Sequence, residues 1–177
     1  MTTPRNQPQY QVRFDWGLEG AEAIAPGAHI VVWTDALPGG TADPLALTHP
    51  GAILTGSVGA RKAIAEWVLA RQLELGDRAT VAVVAAGDNG RFCVEDLLAA
   101  GAVIDALADV GIDYISPEAA AAVGAYAGLR NATGHVLSAS VTGQGIIAAE
   151  GREPVDAAKA ANDSSEFRIL REFSLPA

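Results

Sequence analysis

Ala79-Thr-Val-Ala-Val-Val-Ala-Ala86, running straight into Gly87-Asp-Asn-Gly-Arg91, decides the fold class of this chain. An uncharged run of valine and alanine, with no polar residue alternating against the apolar ones, has the character of a strand buried on both faces. Gly76 and Asp77 stop a helix just before it, and the glycine-bounded turn after it opens a second helical pattern. From Phe92 to about Asp109, the residues Val94, Leu97, Leu98, Gly101, Ile104, Leu107 and Ala108 recur at spacings of three and four. That period predicts an amphipathic helix, with Glu95, Asp105 and Asp109 outside its main apolar stripe.

The same alternation extends in both directions. Upstream, His29-Ile-Val-Val-Trp-Thr-Asp35 lies between Pro26-Gly27 and Pro38-Gly39-Gly40 and reads as a buried strand with Asp35 at its carboxyl end. Ala52 to Thr55 is a second strand, broken by Gly56-Ser57-Val58-Gly59 and followed by a helix to about Leu75. Downstream, Ser116-Pro117-Glu118 marks a helix start, with Ser116 as the cap and the helix running to about Gly128. Further helices are expected from about His135 to Glu150 and from Pro154 to about Ala161, and Glu166 to Glu172 alternates as a half-buried strand. Strands alternating with helices predict a single α/β domain over 1–177, a parallel or mixed sheet flanked by helices. Residues 1–11, polar and proline-containing, are expected to form a flexible lead-in.

Composition narrows the function. The chain has 177 residues, of which half are hydrophobic, and a formal charge of -9. That net charge disfavours nucleic acid and anionic lipid as partners, while local cations and helix N-termini still permit a small anionic substrate. Every apolar run is interrupted before the roughly 18 residues a membrane span needs, so no membrane partner is expected. The single cysteine, Cys93, excludes an internal disulfide and a multi-cysteine zinc site, and fits a reducing cytoplasm. His29, His49 and His135 show no metal-ligand spacing.

Ligands of open α/β sheets gather outside the carboxyl ends of the strands, which here selects the loops 35–41, 55–61 and 87–96. In the last, Asp88, Glu95 and Asp96 offer oxygen donors to a hard cation such as Mg²⁺, and Arg91 offers a planar fork to a phosphoryl or sulfonate oxygen. The same residues also suit structural duty, since acids favour helix N-termini and Asp88-Asn89-Gly90 is common turn chemistry. Ser57, with Gly59 and nearby Arg61 and Lys62, either presents donors to an anion or forms a plain strand-to-helix turn. Asp35 either faces the ligand crevice or caps the Pro38-Gly39-Gly40 turn.

Gly90-Arg-Phe-Cys-Val-Glu-Asp-Leu-Leu-Ala-Ala-Gly101, after Ala85-Ala86-Gly87, resembles the glycine, aromatic, Glu-Asp and Ala-Gly signature of the 2-phosphosulfolactate phosphatases. In the same order, Tyr10-Gln-Val-Arg-Phe-Asp-Trp-Gly17 resembles the opening of actinobacterial-type members. Val32-Trp-Thr-Asp-Ala-Leu37 with Thr41 resembles their strand ending in an Asp-Val-Leu motif, and Leu54 to Ala60 resembles their Thr/Asn-Gly-Thr loop. Ser116-Pro117-Glu118 and the tail from Ser140 also correspond. The resemblance implies an α/β fold and a Mg²⁺-dependent phosphatase that converts 2-phosphosulfolactate and water to sulfolactate and phosphate, a step towards coenzyme M. It implies that Asp35, Glu95 and Asp96 hold the metal or position water, and that Arg91, Ser57, Gly59 and Thr41 orient the substrate. Pro38 stands where many relatives carry arginine, and the segment between Thr41 and Leu54 is shorter than theirs. These departures imply an alternative, a non-catalytic descendant serving as a ligand-binding or oligomeric module. A shortened chain that exposes sheet edge or apolar helix faces would also favour a homo-oligomer.

Overall fold

The computed structural model describes residues 3–37, 39–40, 42–88 and 91–174, and Pro38 and Thr41 lie outside the described residues. In chain order the elements are β1 (Val12–Trp16), α1 (Gly17–Ile24), β2 (Ile30–Thr34), β3 (Ala52–Gly56), α2 (Arg61–Leu75), β4 (Val81–Ala85) and α3 (Val94–Asp109). They continue with α4 (Pro117–Leu129), α5 (Thr133–Ala139), α6 (Val141–Glu150), α7 (Glu153–Asp163) and β5 (Ile169–Arg171). The strands form one mixed sheet in the order β1-β4-β2-β3-β5, parallel throughout except for the antiparallel edge strand β5. The α/β class read from the valine-rich stretch is therefore the fold.

Alternate residues of each parallel strand serve the two faces. Val12, Phe14, Ile30, Val32, Leu54, Val81 and Val83 pack under α2, α3 and α4 in one buried cluster. Val31, Trp33, Ile53, Ala82 and Val84 meet Ala21 and Ile24 of α1, together with Leu47 from the loop after β2. Because both faces are covered, β2 and β4 are buried at every position, which is why neither shows a polar alternation.

Three local features depart from the sequence reading. β1 and α1 escape it, because Val12-Arg-Phe-Asp-Trp16 carries two charges; the structure uses both. Arg13 is buried and donates to the carbonyls of Ile24 and Pro26 at 3.0 and 2.9 Å, closing the carbonyl end of α1 and the turn after it. Asp15 pairs with Arg5 at 3.0 Å. The lead-in, expected to be flexible, is pinned over its described residues. The Gln7 side-chain amide donates to the Phe14 carbonyl at 2.8 Å and accepts from the Phe14 N–H at 3.0 Å, while Asn6 donates to the Ala23 carbonyl. The expected helix from His135 to Glu150 is two helices, α5 and α6, because Ser140 adopts an extended conformation and caps α6 by accepting from the Gly143 N–H at 3.0 Å.

At the sheet margins β5 pairs with β3, and the amide of Gln7 and a bridge from Ile115 occupy groups of β1. Among the described residues no helix is long and apolar enough to cross a membrane.

Candidate active site

The loop leaving β2 runs towards the α1 face of the sheet, where Leu47 is buried, whereas the chain leaving β4 enters α3 on the opposite face. β2 and β4 are neighbours, so their carboxyl ends part around a crevice. A cavity of about 340 Å³ opens there, bordered by Asp35, Asp88, Arg91, Cys93, Glu95 and Asp96, and on its far side by Thr142, Gly145 and Ile146 of α6.

Asp96 is the structural centre of this crevice. It is 3 % exposed, and its two carboxyl oxygens accept from the Ala36 N–H at 2.8 Å and the Gly87 N–H at 2.9 Å. One side chain thus ties the end of β2 to the end of β4. The Thr34 hydroxyl completes the link by lying 3.1 Å from the Val84 carbonyl and 3.2 Å from the Asp96 carbonyl. Gly87 has φ of +65°, and a Cβ there would sit 2.7 Å from the Arg91 carbonyl oxygen, so the turn requires glycine. Burial raises the Asp96 carboxyl to about 7, with Asp35 and Glu95 adding to the rise and the two N–H donors opposing it.

Glu95, expected outside the apolar stripe, is instead 4 % exposed, and its Oε2 has no hydrogen-bond partner among the described residues. It lies in the first turn of α3 and borders the cavity that Thr142, Gly145 and Ile146 of α6 also line. Asp35 stands at the crevice mouth, where desolvation against the wall and the charge of Glu95 raise it to about 6. Gly40 passes close over it; a Cβ at Gly40 would lie 2.8 Å from Asp35 Oδ2. The three acids therefore do share one crevice, yet they are not equivalent. The oxygens of Asp96 are committed to backbone donors, which leaves Asp35 and Glu95 with oxygens to offer. Among the described residues no group of three or more acids, histidines or cysteines is arranged to hold a metal.

Arg91 borders the cavity and pairs with Asp88 at 2.7 Å, and the two residues also exchange backbone hydrogen bonds across the turn. Cys93 is buried at the N-cap of α3, 3.5 Å from the Thr142 hydroxyl, and burial pushes its thiol up. The loop after β3 engages its backbone donors within the protein, as in the plain strand-to-helix turn that was one of its two readings. Val58 N–H donates to Asn162 Oδ1, Gly59 N–H to the Asn162 carbonyl at 2.8 Å, and Ala60 N–H to Ser57 Oγ at 3.1 Å. Gly59 is thus a packing residue: a Cβ there would overlap the Asp163 and Ser164 carbonyls at the end of α7. Ser57 faces a second cavity of about 560 Å³ on the other side of Asp35, which Arg91 does not border. Thr41 lies outside the described residues. Thr142 in the first cavity, and Asn162 and Arg168 in the second, carry no motif in the sequence; Ser140 as a helix cap is the signal that could have pointed to Thr142.

A family model described as 2-phosphosulpholactate phosphatase matches residues 20–169 of the chain. The chain belongs to that family. The matched span runs from α1 to the start of β5, and so takes in both cavities and every acid of the crevice. No curated protein sequence matches the chain at the significance required. Membership in the 2-phosphosulpholactate phosphatase family points to phosphatase-like chemistry on a small substrate.

Proposed function

We propose that this chain is a Mg²⁺-assisted phosphatase of a small anionic phosphomonoester, with 2-phosphosulfolactate the substrate that its family suggests and sulfolactate and phosphate the products. The observation that carries this reading is the buried Glu95, which borders the same cavity as Asp35 and whose Oε2 lacks a hydrogen-bond partner among the described residues. An unpaired oxygen in such a place costs on the order of 1–3 kcal/mol, and a hard cation is the occupant that would offset it. The donor set fits Mg²⁺, which takes oxygen ligands and is held by one or two carboxylates plus water and substrate phosphate rather than by an all-protein cage. Asp35 and Glu95 are the residues that would hold it.

Electrostatics support the same reading. Asp35, Asp88, Glu95 and Asp96 border the cavity against Arg91, which Asp88 already engages. A phosphate ester entering this field is repelled unless a cation stands between. When bound, Mg²⁺ supplies that neutralisation and stabilises charge on the phosphoryl oxygens. The protein's own share is positioning. Asp96 holds the two strand ends at a fixed separation, Gly40 and the wall of α6 restrict water at the mouth, and Arg91 swings from Asp88 to fork a phosphoryl oxygen. With its lone cysteine, the chain suits a cytoplasmic step towards coenzyme M.

The test is phosphate release from a panel of phosphomonoesters with Mg²⁺ or EDTA. Release that requires Mg²⁺ and disappears in the Asp35→Ala, Glu95→Ala double variant supports the proposal. Release that persists unchanged in EDTA or in that variant overturns it. The Asp88–Arg91 pair favours one other reading, a non-catalytic binding module, to which substrate binding without turnover of any ester would assign the chain.

A further inference from the structure

Two glycines interrupt α6, and the packing of the fold explains one of them. Gly143 is buried where α6 meets the end of α5, and a Cβ there would overlap the Leu137 carbonyl oxygen. Gly145 has no such reason. It lies inside α6 without a positive φ, and a Cβ built on it meets nothing within 4 Å. Glycine is the poorest helix former after proline, because it gives up the most backbone entropy, so alanine would serve the helix better there. What the glycine leaves is room, and its neighbours fix where that room is. Val141, Thr142, Gly145 and Ile146 border the first cavity, and their i, i+1, i+4, i+5 spacing is a single helical face. Two contacts orient that face. The Thr142 hydroxyl lies 3.5 Å from Cys93 Sγ at the start of α3, and Ile146 packs against the cluster of Leu37 and Leu137. Position 145 is one turn beyond Val141 and falls between Val141 and Thr142 around the helix axis, so a side chain there would project over the cavity that Asp35 and Glu95 border. Val141 beside it is 73 % exposed, an apolar side chain left uncovered at the cavity rim.

We propose that Gly145 is a specificity-determining residue: the space left by its missing side chain holds the alcohol part of the ester, whose carbon skeleton packs on Val141. This rests on the first cavity being the phosphoryl site. A methyl ester leaves that space to water, whereas an alcohol with two or more further carbons fills it and takes apolar surface of Val141 out of water. The preferred class is therefore short-chain phosphomonoesters longer than methyl. The helix accepts a poor helix former at this one position in exchange for the room, a sacrifice of stability of the kind found at functional sites.

Titration calorimetry on the intact protein with Mg²⁺, using methylphosphonate and propylphosphonate as probes, tests this without any need for turnover. Wild type should bind the propyl probe more tightly than the methyl one. Gly145→Leu should weaken propylphosphonate about tenfold or more while changing methylphosphonate by less than about threefold, and Gly145→Ala should fall between. Gly145→Ala should also raise the melting temperature by about 2–4 °C, a gain that a glycine required for packing would not allow. Hydrolysis of methyl and propyl phosphate, measured alongside, separates the two claims. If neither ester is hydrolysed yet the size selectivity responds to position 145, the phosphatase reading fails and the role of Gly145 stands. Equal weakening of both probes, unchanged propylphosphonate binding in Gly145→Leu, a lowered melting temperature in Gly145→Ala, or no phosphonate binding to wild type overturns the proposal.

Discussion

Replacing Asp96 with asparagine should change how stability depends on pH, and the size of the change follows from the crevice. Burial raises this carboxyl from the ordinary 3.8 to about 7 in the folded protein. Between those values the folded chain keeps a proton that the unfolded chain has released. Its contribution to stability is therefore fully present below about pH 4 and is lost as the pH rises through about 7. At about 1.4 kcal/mol per pH unit, the full loss is about 4 kcal/mol. The substituted amide cannot ionise, and it has one acceptor oxygen for the two N–H groups of Ala36 and Gly87, so it carries a cost of about 1–3 kcal/mol at every pH. The stability of Asp96→Asn relative to wild type should rise by about 3 kcal/mol from about pH 4.5 to about pH 8.5. Urea unfolding of both proteins in EDTA measures that difference. A difference flat to within about 1 kcal/mol, or falling with pH, would refute the assignment of Asp96 as a buried clamp held at an electrostatic cost.

Gly59→Ala should lower stability by about 1–3 kcal/mol in thermal melts, since the new methyl overlaps the carbonyls at the end of α7. Ser140→Ala removes the acceptor for the Gly143 N–H and should cost about 1 kcal/mol, read from denaturant midpoints at unchanged slope. His49 is buried, and burial, then the charges of Arg171 and His29, lower its pKa from 6.5. Its contribution is present above about 6.5 and lost as the pH falls through the lower folded value, so His49→Gln should lose less stability than wild type on acidification from about pH 7 to about pH 5.

The sheet and its covering helices were legible because their signals are local. The uncharged run 79–86 needs two covering layers, and Ser116-Pro117 begins a helix wherever it occurs: Ser116 Oγ indeed accepts from the Ala119 N–H at 3.1 Å. Asp35, Glu95 and Asp96 stand out together in the sequence, and the crevice brings them together. Their division of labour was not legible. Whether an acid is free or committed depends on backbone N–H groups brought in by tertiary structure, and those of Ala36 and Gly87 reach Asp96 from 60 and 9 residues away. Glu95 falls outside the apolar stripe of α3 yet is buried at the cavity, so helical period alone placed it in solvent. Arg13 concealed β1 because a buried arginine paired with carbonyls rather than acids leaves no complementary charge in the sequence. Asn162 and Arg168 reach the second cavity only because Gly59 lets the end of α7 seat against the loop after β3.

Binding of Mg²⁺ to the metal-free protein, followed by titration calorimetry, is the most direct measurement of whether Asp35 and Glu95 form a cation site. The account predicts saturable binding to wild type that weakens at least tenfold in Asp35→Asn and in Glu95→Gln, with both variants folded by circular dichroism. Wild-type protein that takes up no Mg²⁺, or variants that bind it as tightly as wild type, would contradict it.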